Sequence, residues 1–170
     1  MLALPCALAG APVLTACSST PEAADAPLPP SSAPSDFSLA LTVYAPASAH
    51  NNPRVPAWRR PARYVIQTDQ VLRAAVGPGV SQDLLPPQTR QLQPAQVERL
   101  WADVRDGGLL AADHAGRVPT LAGFEPIPKA TTLVVSVTGA GERRTLVLGA
   151  DDGAGRRVAE RLAQYAWVSP

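Results

Sequence analysis

Thiols, histidines and net charge are what this 170-residue chain has least of: two cysteines, two histidines, and 15 basic against 14 acidic side chains. Near-neutrality removes the electrostatic basis for a polyanion such as nucleic acid as the main partner. The densest set of metal-ligating side chains is Asp106, Asp113 and His114, and it carries no HExxH spacing, so no resident metal is expected. Ser136 stands in the apolar run VVSVT with no GxSxG elbow around it, so no nucleophile for acyl transfer is set up. Gly149, Gly153 and Gly155 lack the GK[ST] ending of a phosphate loop. Asp151 and Asp152 beside them would repel a phosphate from a helix start and serve better as caps. The expectation is a chain that is not an enzyme and takes no cofactor.

Bases and aromatics are also missing from the first 36 residues, which hold only three charges, Glu22, Asp25 and Asp36. All eight aromatics and a surplus of 15 basic over 11 acidic side chains fall from residue 37 onward. A core can form only there, and a chain of that size buries roughly two-thirds of the surface it would expose unfolded.

Residues 1–16, MLALPCALAGAPVLTA, are uncharged and apolar, yet Pro5, Gly10 and Pro12 break them and they fall short of the roughly 20 residues that span a bilayer. The length and composition fit the apolar part of an export signal. At its end stand Leu14, Thr15, Ala16 and Cys17, which resemble the lipobox of bacterial lipoproteins. The resemblance implies cleavage before Cys17, a lipid on the Cys17 thiol, and attachment to a membrane of the cell envelope on its extracytoplasmic face. Ser18 is similar to the residue found in lipoproteins sent to an outer membrane. The chain departs from the pattern in having no Lys or Arg ahead of the apolar run. Each buried methylene of an acyl chain contributes about 0.8 kcal/mol, so two or three long chains would hold such a protein on the membrane. With Cys6 removed and Cys17 acylated, nothing after Cys17 carries a thiol, which excludes disulfides, thiolate zinc and a cysteine nucleophile.

From Ser18 to Asp36 the sequence holds five prolines and one large apolar residue, Leu28, too little to order itself by burial. The expected organisation is a signal peptide over 1–16, a lipidated cysteine with a Pro-rich tether over 17–36, and one domain over 37–170.

Inside that domain Phe37, Leu39, Leu41 and Val43 alternate with smaller or polar residues, a period of two that predicts a strand ending before Pro46. Arg63–Thr68 and Val71–Val76 flank a polar turn and predict a hairpin. Val97, Leu100, Trp101 and Val104 share one helical face, with Pro94 in the first turn and Gly107 and Gly108 at the exit. Trp101 completes that apolar stripe and is expected in the core. Residues 109–130 are irregular. Thr131–Val137 and Arg144–Ala150 predict a second hairpin, and about Gly153 to Ala166 a second helix, capped by Asp151 or Asp152. Tyr165 and Trp167 are expected to seal the edge of the core.

Short turns between strands favour antiparallel pairing, so the fold expected is α+β: a largely antiparallel sheet of about five strands with two helices on one face. The block 62–166 resembles small uncharacterised domains of secreted bacterial proteins, a similarity of pattern that brings no activity.

The most distinctive polar segment is HNNPRVPAWRRPAR, residues 50–63. Arg54, Arg59, Arg60 and Arg63 around Trp58 suit anionic lipid headgroups, an anionic envelope polymer or an envelope protein, because arginine pairs with phosphate or carboxylate and tryptophan adds apolar area. The alternative is that Trp58 folds back on the domain and the arginines are solvated. The functional expectation is a non-catalytic binding module of the envelope, or an accessory that docks on another envelope protein.

Overall fold

A computed structural model describes residues 29–49, 52–78, 80–81 and 83–168. The expected signal peptide, Cys17 and most of the tether lie outside the described residues, as does His50. Strands β1 (Ser38–Tyr44), β2 (Ala62–Ile66), β3 (Val71–Val76) and β4 (Gln88–Gln91) precede helix α1 (Pro94–Asp106). Strands β5 (Thr132–Gly139) and β6 (Glu142–Gly149) and helix α2 (Gly153–Tyr165) follow. All six strands form one sheet in the order β4-β3-β2-β1-β5-β6, and every neighbouring pair is antiparallel. The architecture is α+β with six strands rather than the five expected.

The unexpected strand is β4, QTRQ, whose residues are half-buried or exposed and show no apolar alternation. Its pairing with β3 carries a register shift between Leu72 and Arg73. Four residues between Pro87 and Pro94 make a short edge, the kind that limits pairing with other chains. The opposite edge is covered: Val147 donates to the carbonyl of Gly116 at 2.7 Å and Val118 to that of Thr145 at 2.9 Å, so residues 116–118 run along β6.

Register places the apolar set on one face. Leu41 of β1 lies between Tyr64 of β2 and Val135 of β5; Leu39 lies between Ile66 and Val137, and Val43 between Ala62 and Leu133. These side chains are buried together with Leu100, Trp101 and Val104 of α1 and Val158, Leu162 and Ala163 of α2. A one-residue slip of β1 would turn this set to the opposite face, so the alternation Phe37–Tyr44 fixes both the strand and its register.

The helix ends follow from their sequence. In α1 the Gln96 side chain accepts from the Gln93 amide at 2.9 Å, and Gly108 leaves the helix with φ of 65°. In α2 the Asp152 carboxylate accepts from the Gly155 amide at 2.7 Å, satisfying one of the free N–H groups of the first turn. Asp103 of α1 and Arg161 of α2 form an ion pair that joins the two helices. Tyr165 is buried as expected; Trp167 is 66% exposed instead, with the Arg90 guanidinium 4.3 Å from its ring centre. A left-handed backbone at Trp167, φ 54°, turns the ring off the core.

The expected tether ends earlier than Asp36. Pro30 accepts a hydrogen bond from the Trp101 indole at 2.8 Å, Ser31 accepts from Arg105 at 2.6 Å, and the Ala33 amide donates to Glu98 at 2.9 Å. Residues 29–36 thus form a strap along α1. An extended proline-rich segment leaves carbonyls free that no strand ladder uses, and α1 supplies donors for two of them. Asp36 finishes the strap by accepting from the amides of Ala140 and Gly141 at 2.9 and 2.7 Å. Those two residues make the β5–β6 turn with φ of 54° and 76°, so the carboxylate holds a left-handed alanine that costs roughly 1–2 kcal/mol.

That clamp has a pH signature. The turn amides, Gly141 first and then Ala140, hold the Asp36 carboxyl below the ordinary carboxylate value. A group whose pKa is depressed by folding stabilises the fold above its unfolded value, near pH 4, and loses that contribution as pH falls through the folded value. Urea midpoints measured from pH 6 to pH 2 are expected to be lower for Asp36→Asn than for the wild type at pH 6. The two curves should then converge below pH 4, and parallel curves would exclude the clamp.

Candidate functional site

The segment 52–63 does not form one surface. Ala57–Arg59 make a short 3₁₀ turn that packs on α2 and points Trp58 inward, where it is 7% exposed. Arg59 and Arg156 stand 5.1 and 5.5 Å from its ring centre, two cation–π contacts that hold the indole in place. The ring is therefore part of the core and offers no apolar area to a partner. Arg60 turns its Nε to the carbonyl of Val55 at 3.2 Å. Arg63, on β2, faces the side of the sheet away from the helices and donates to the Thr42 hydroxyl at 3.2 Å. Burial pushes its pKa down, and its Nε is buried without a hydrogen-bond partner. Arg54 and Arg59 remain exposed. Of the five residues expected to act together, Arg59 alone lines a depression with a wall of its own.

That depression lies at the end of the sheet where β1, β3 and β6 finish and β2 and β5 begin. It consists of two adjoining hollows of about 360 and 580 Å³ that share Ile127, Lys129 and Ala130. Five prolines, Pro46, Pro61, Pro78, Pro126 and Pro128, line the first. Ile127 is 64% exposed between two of them. Arg59 and Asp151 line the second. The Ala130 amide donates to the Ile127 carbonyl at 3.2 Å, closing a turn in which Lys129 takes φ of 65°. No described carboxylate forms an ion pair with Arg59 or Lys129.

The sequence offered a signal for this groove that the expectation above did not use. Residues 109–130 read there only as irregular, although an isoleucine set between Pro126 and Pro128 and followed by Lys129 has no core position to fill. Of the metal-ligand and nucleophile candidates, His114 Nδ1 accepts from the Gly116 amide at 3.1 Å and Ser136 shares a hydrogen bond with Thr145 at 3.3 Å. Among the described residues no group of three His, Cys, Asp or Glu side chains converges, and no helix is long and apolar enough to cross a membrane.

The strap enters at the opposite end. Ser38 begins β1 beside Thr138, and the seven residues of β1 put about 20 Å between that end and the groove. A further hollow of about 520 Å³ lies near the strap, bordered by Pro29, Arg105, Leu110 and Glu142. No protein-family model matches the chain, and a search among curated proteins returns no match.

Proposed function

We propose that this chain is a lipid-anchored protein of a bacterial cell envelope whose domain binds a partner and transforms nothing. The observation that carries the reading is Leu14-Thr15-Ala16-Cys17 at the end of an uncharged apolar run, with no later thiol in the chain. Cys17 would carry the lipid, and the eleven residues Ser18–Leu28 would reach at most about 34 Å as an extended polyproline chain. The strap on α1 supports an orientation: a chain held at that end of the sheet presents the proline groove away from the membrane. A role as an accessory to another envelope protein is favoured by the same groove, whose walls are apolar and whose rim carries Arg59 and Lys129.

Radiolabelled palmitate is expected on the wild-type protein in growing cells and to be absent from Cys17→Ala. Equal labelling of both, or labelling of neither, would remove the anchor.

A further inference from the structure

We infer that the proline groove is a docking site for an extended, acidic peptide segment of a partner protein. Apolar side chains would lie against the prolines and Ile127, and a carboxylate would meet Arg59 and Lys129. The inference deepens the binding-module reading and is independent of the lipid.

Size comes first. The lining runs from Pro78 after β3, past Tyr44 at the end of β1 and Thr132 at the start of β5, to Gly149 at the end of β6. In the sheet order β3-β2-β1-β5-β6 that is four inter-strand spacings, about 19 Å, the length of about six extended residues. The wall is also rigid. Each proline has a fixed φ and no N–H, so the groove loses little conformational freedom when occupied and gives the ligand an apolar surface to pack on.

Charge selects the ligand further. Two cations without carboxylate partners face one lining carboxylate, Asp151. That is enough for one or two acidic side chains and too few for a polyanion, whose affinity scales with the number of phosphates neutralised. Arg59 is held in place by its contact with the Trp58 ring. Lys129 occupies a left-handed backbone, which is strained for a residue with a β-carbon, and the turn it closes presents Ile127 beside it. A membrane is disfavoured as the occupant, because Ile127 is the one large apolar side chain of the lining that stands out into solvent.

The test uses the full-length protein in detergent micelles and the full-length Cys17→Ala variant. Each is titrated by fluorescence anisotropy into fluorescein-labelled (Leu-Pro-Glu)₃, (Leu-Pro-Gln)₃ and (Leu-Pro-Lys)₃. The acidic peptide is expected to bind at least about 10-fold more tightly than the neutral one, as one or two charge-assisted contacts allow. Ile127→Asp, and Arg59→Gln combined with Lys129→Asn, should each weaken it about 10-fold, and Asp151→Asn should tighten it. Ile127 and Lys129 are exposed and asparagine tolerates the left-handed backbone, so circular dichroism should be unchanged in every variant and Tm unchanged in Ile127→Asp; the Arg59→Gln, Lys129→Asn double variant should lose only the small contribution of the Arg59–Trp58 contact.

Four outcomes overturn the inference: no saturable binding of the acidic peptide; equal affinity for the three peptides; groove-dependent binding to phosphatidylglycerol vesicles in place of peptide; or a dimer in sedimentation that Ile127→Asp dissociates. Because Cys17→Ala should bind the peptide as the wild type does, loss of palmitate labelling and loss of peptide binding are separate results.

Discussion

Replacing Trp101 with alanine is expected to lower the free energy of unfolding by about 4 kcal/mol, in the range found for large aromatic side chains in packed cores. Trp101 is fully buried, its ring meets Phe37 edge-on at 5.4 Å, and its indole N–H holds the carbonyl of Pro30. Truncation would empty the volume between α1 and the sheet and release the strap in one step. Trp101→Phe separates the two effects: it keeps a ring against Phe37, removes the hydrogen bond to Pro30, and should cost about 1 kcal/mol beyond the smaller ring. Chemical denaturation of both variants, with proteinase K cleavage inside 29–36 followed by mass spectrometry, reads stability and strap release separately. A cost below about 1 kcal/mol for Trp101→Ala would contradict the packing described above, since even ordinary core substitutions exceed it.

Leu41→Ala is the second large effect, expected at about 3 kcal/mol. Leu41 sits on the central strand with Tyr64 on one side and Val135 on the other, so it touches both hairpins across the sheet. The loss should be global: amide exchange in β2 and in β5 should accelerate together, because β1 is the one strand that joins them. Ala40→Ser, one position away and on the opposite face, should change stability by no more than about 0.5 kcal/mol. Equal effects at the two positions would place the core on both faces of the sheet and contradict the register.

These residues also show what the sequence made legible. The alternation through Phe37–Tyr44 and the i, i+3, i+4, i+7 spacing of Val97, Leu100, Trp101 and Val104 are patterns that burial on one side imposes, and both elements lie where they predict. Gly107 and Gly108 mark the end of α1 for a conformational reason that acts locally. Strand β4 left no such trace, because an edge strand with polar residues on its exposed side needs only backbone pairing with β3. The strap was illegible for a different reason. Composition alone gives Ser18–Asp36 too few apolar residues to order itself by burial, but within 29–36 an indole and a guanidinium on α1 reach carbonyls that no strand ladder uses.

For the site, local pattern misled in one respect. Arginines clustered around Trp58 in sequence read as one face, yet the 3₁₀ turn at Ala57–Arg59 sends the indole inward and β2 carries Arg63 to the other side of the sheet. The groove draws its wall from five separate stretches of chain, which meet only because antiparallel pairing brings the ends of β1, β3 and β6 and the starts of β2 and β5 to one edge.

Intact-mass analysis of the protein purified from its native membrane tests the central claim most directly. The account predicts a polypeptide that starts at Cys17 and carries the added mass of a diacylglyceryl group, with or without an amide-linked acyl chain. A chain that retains residues 1–16 and has an unmodified Cys17 would contradict it.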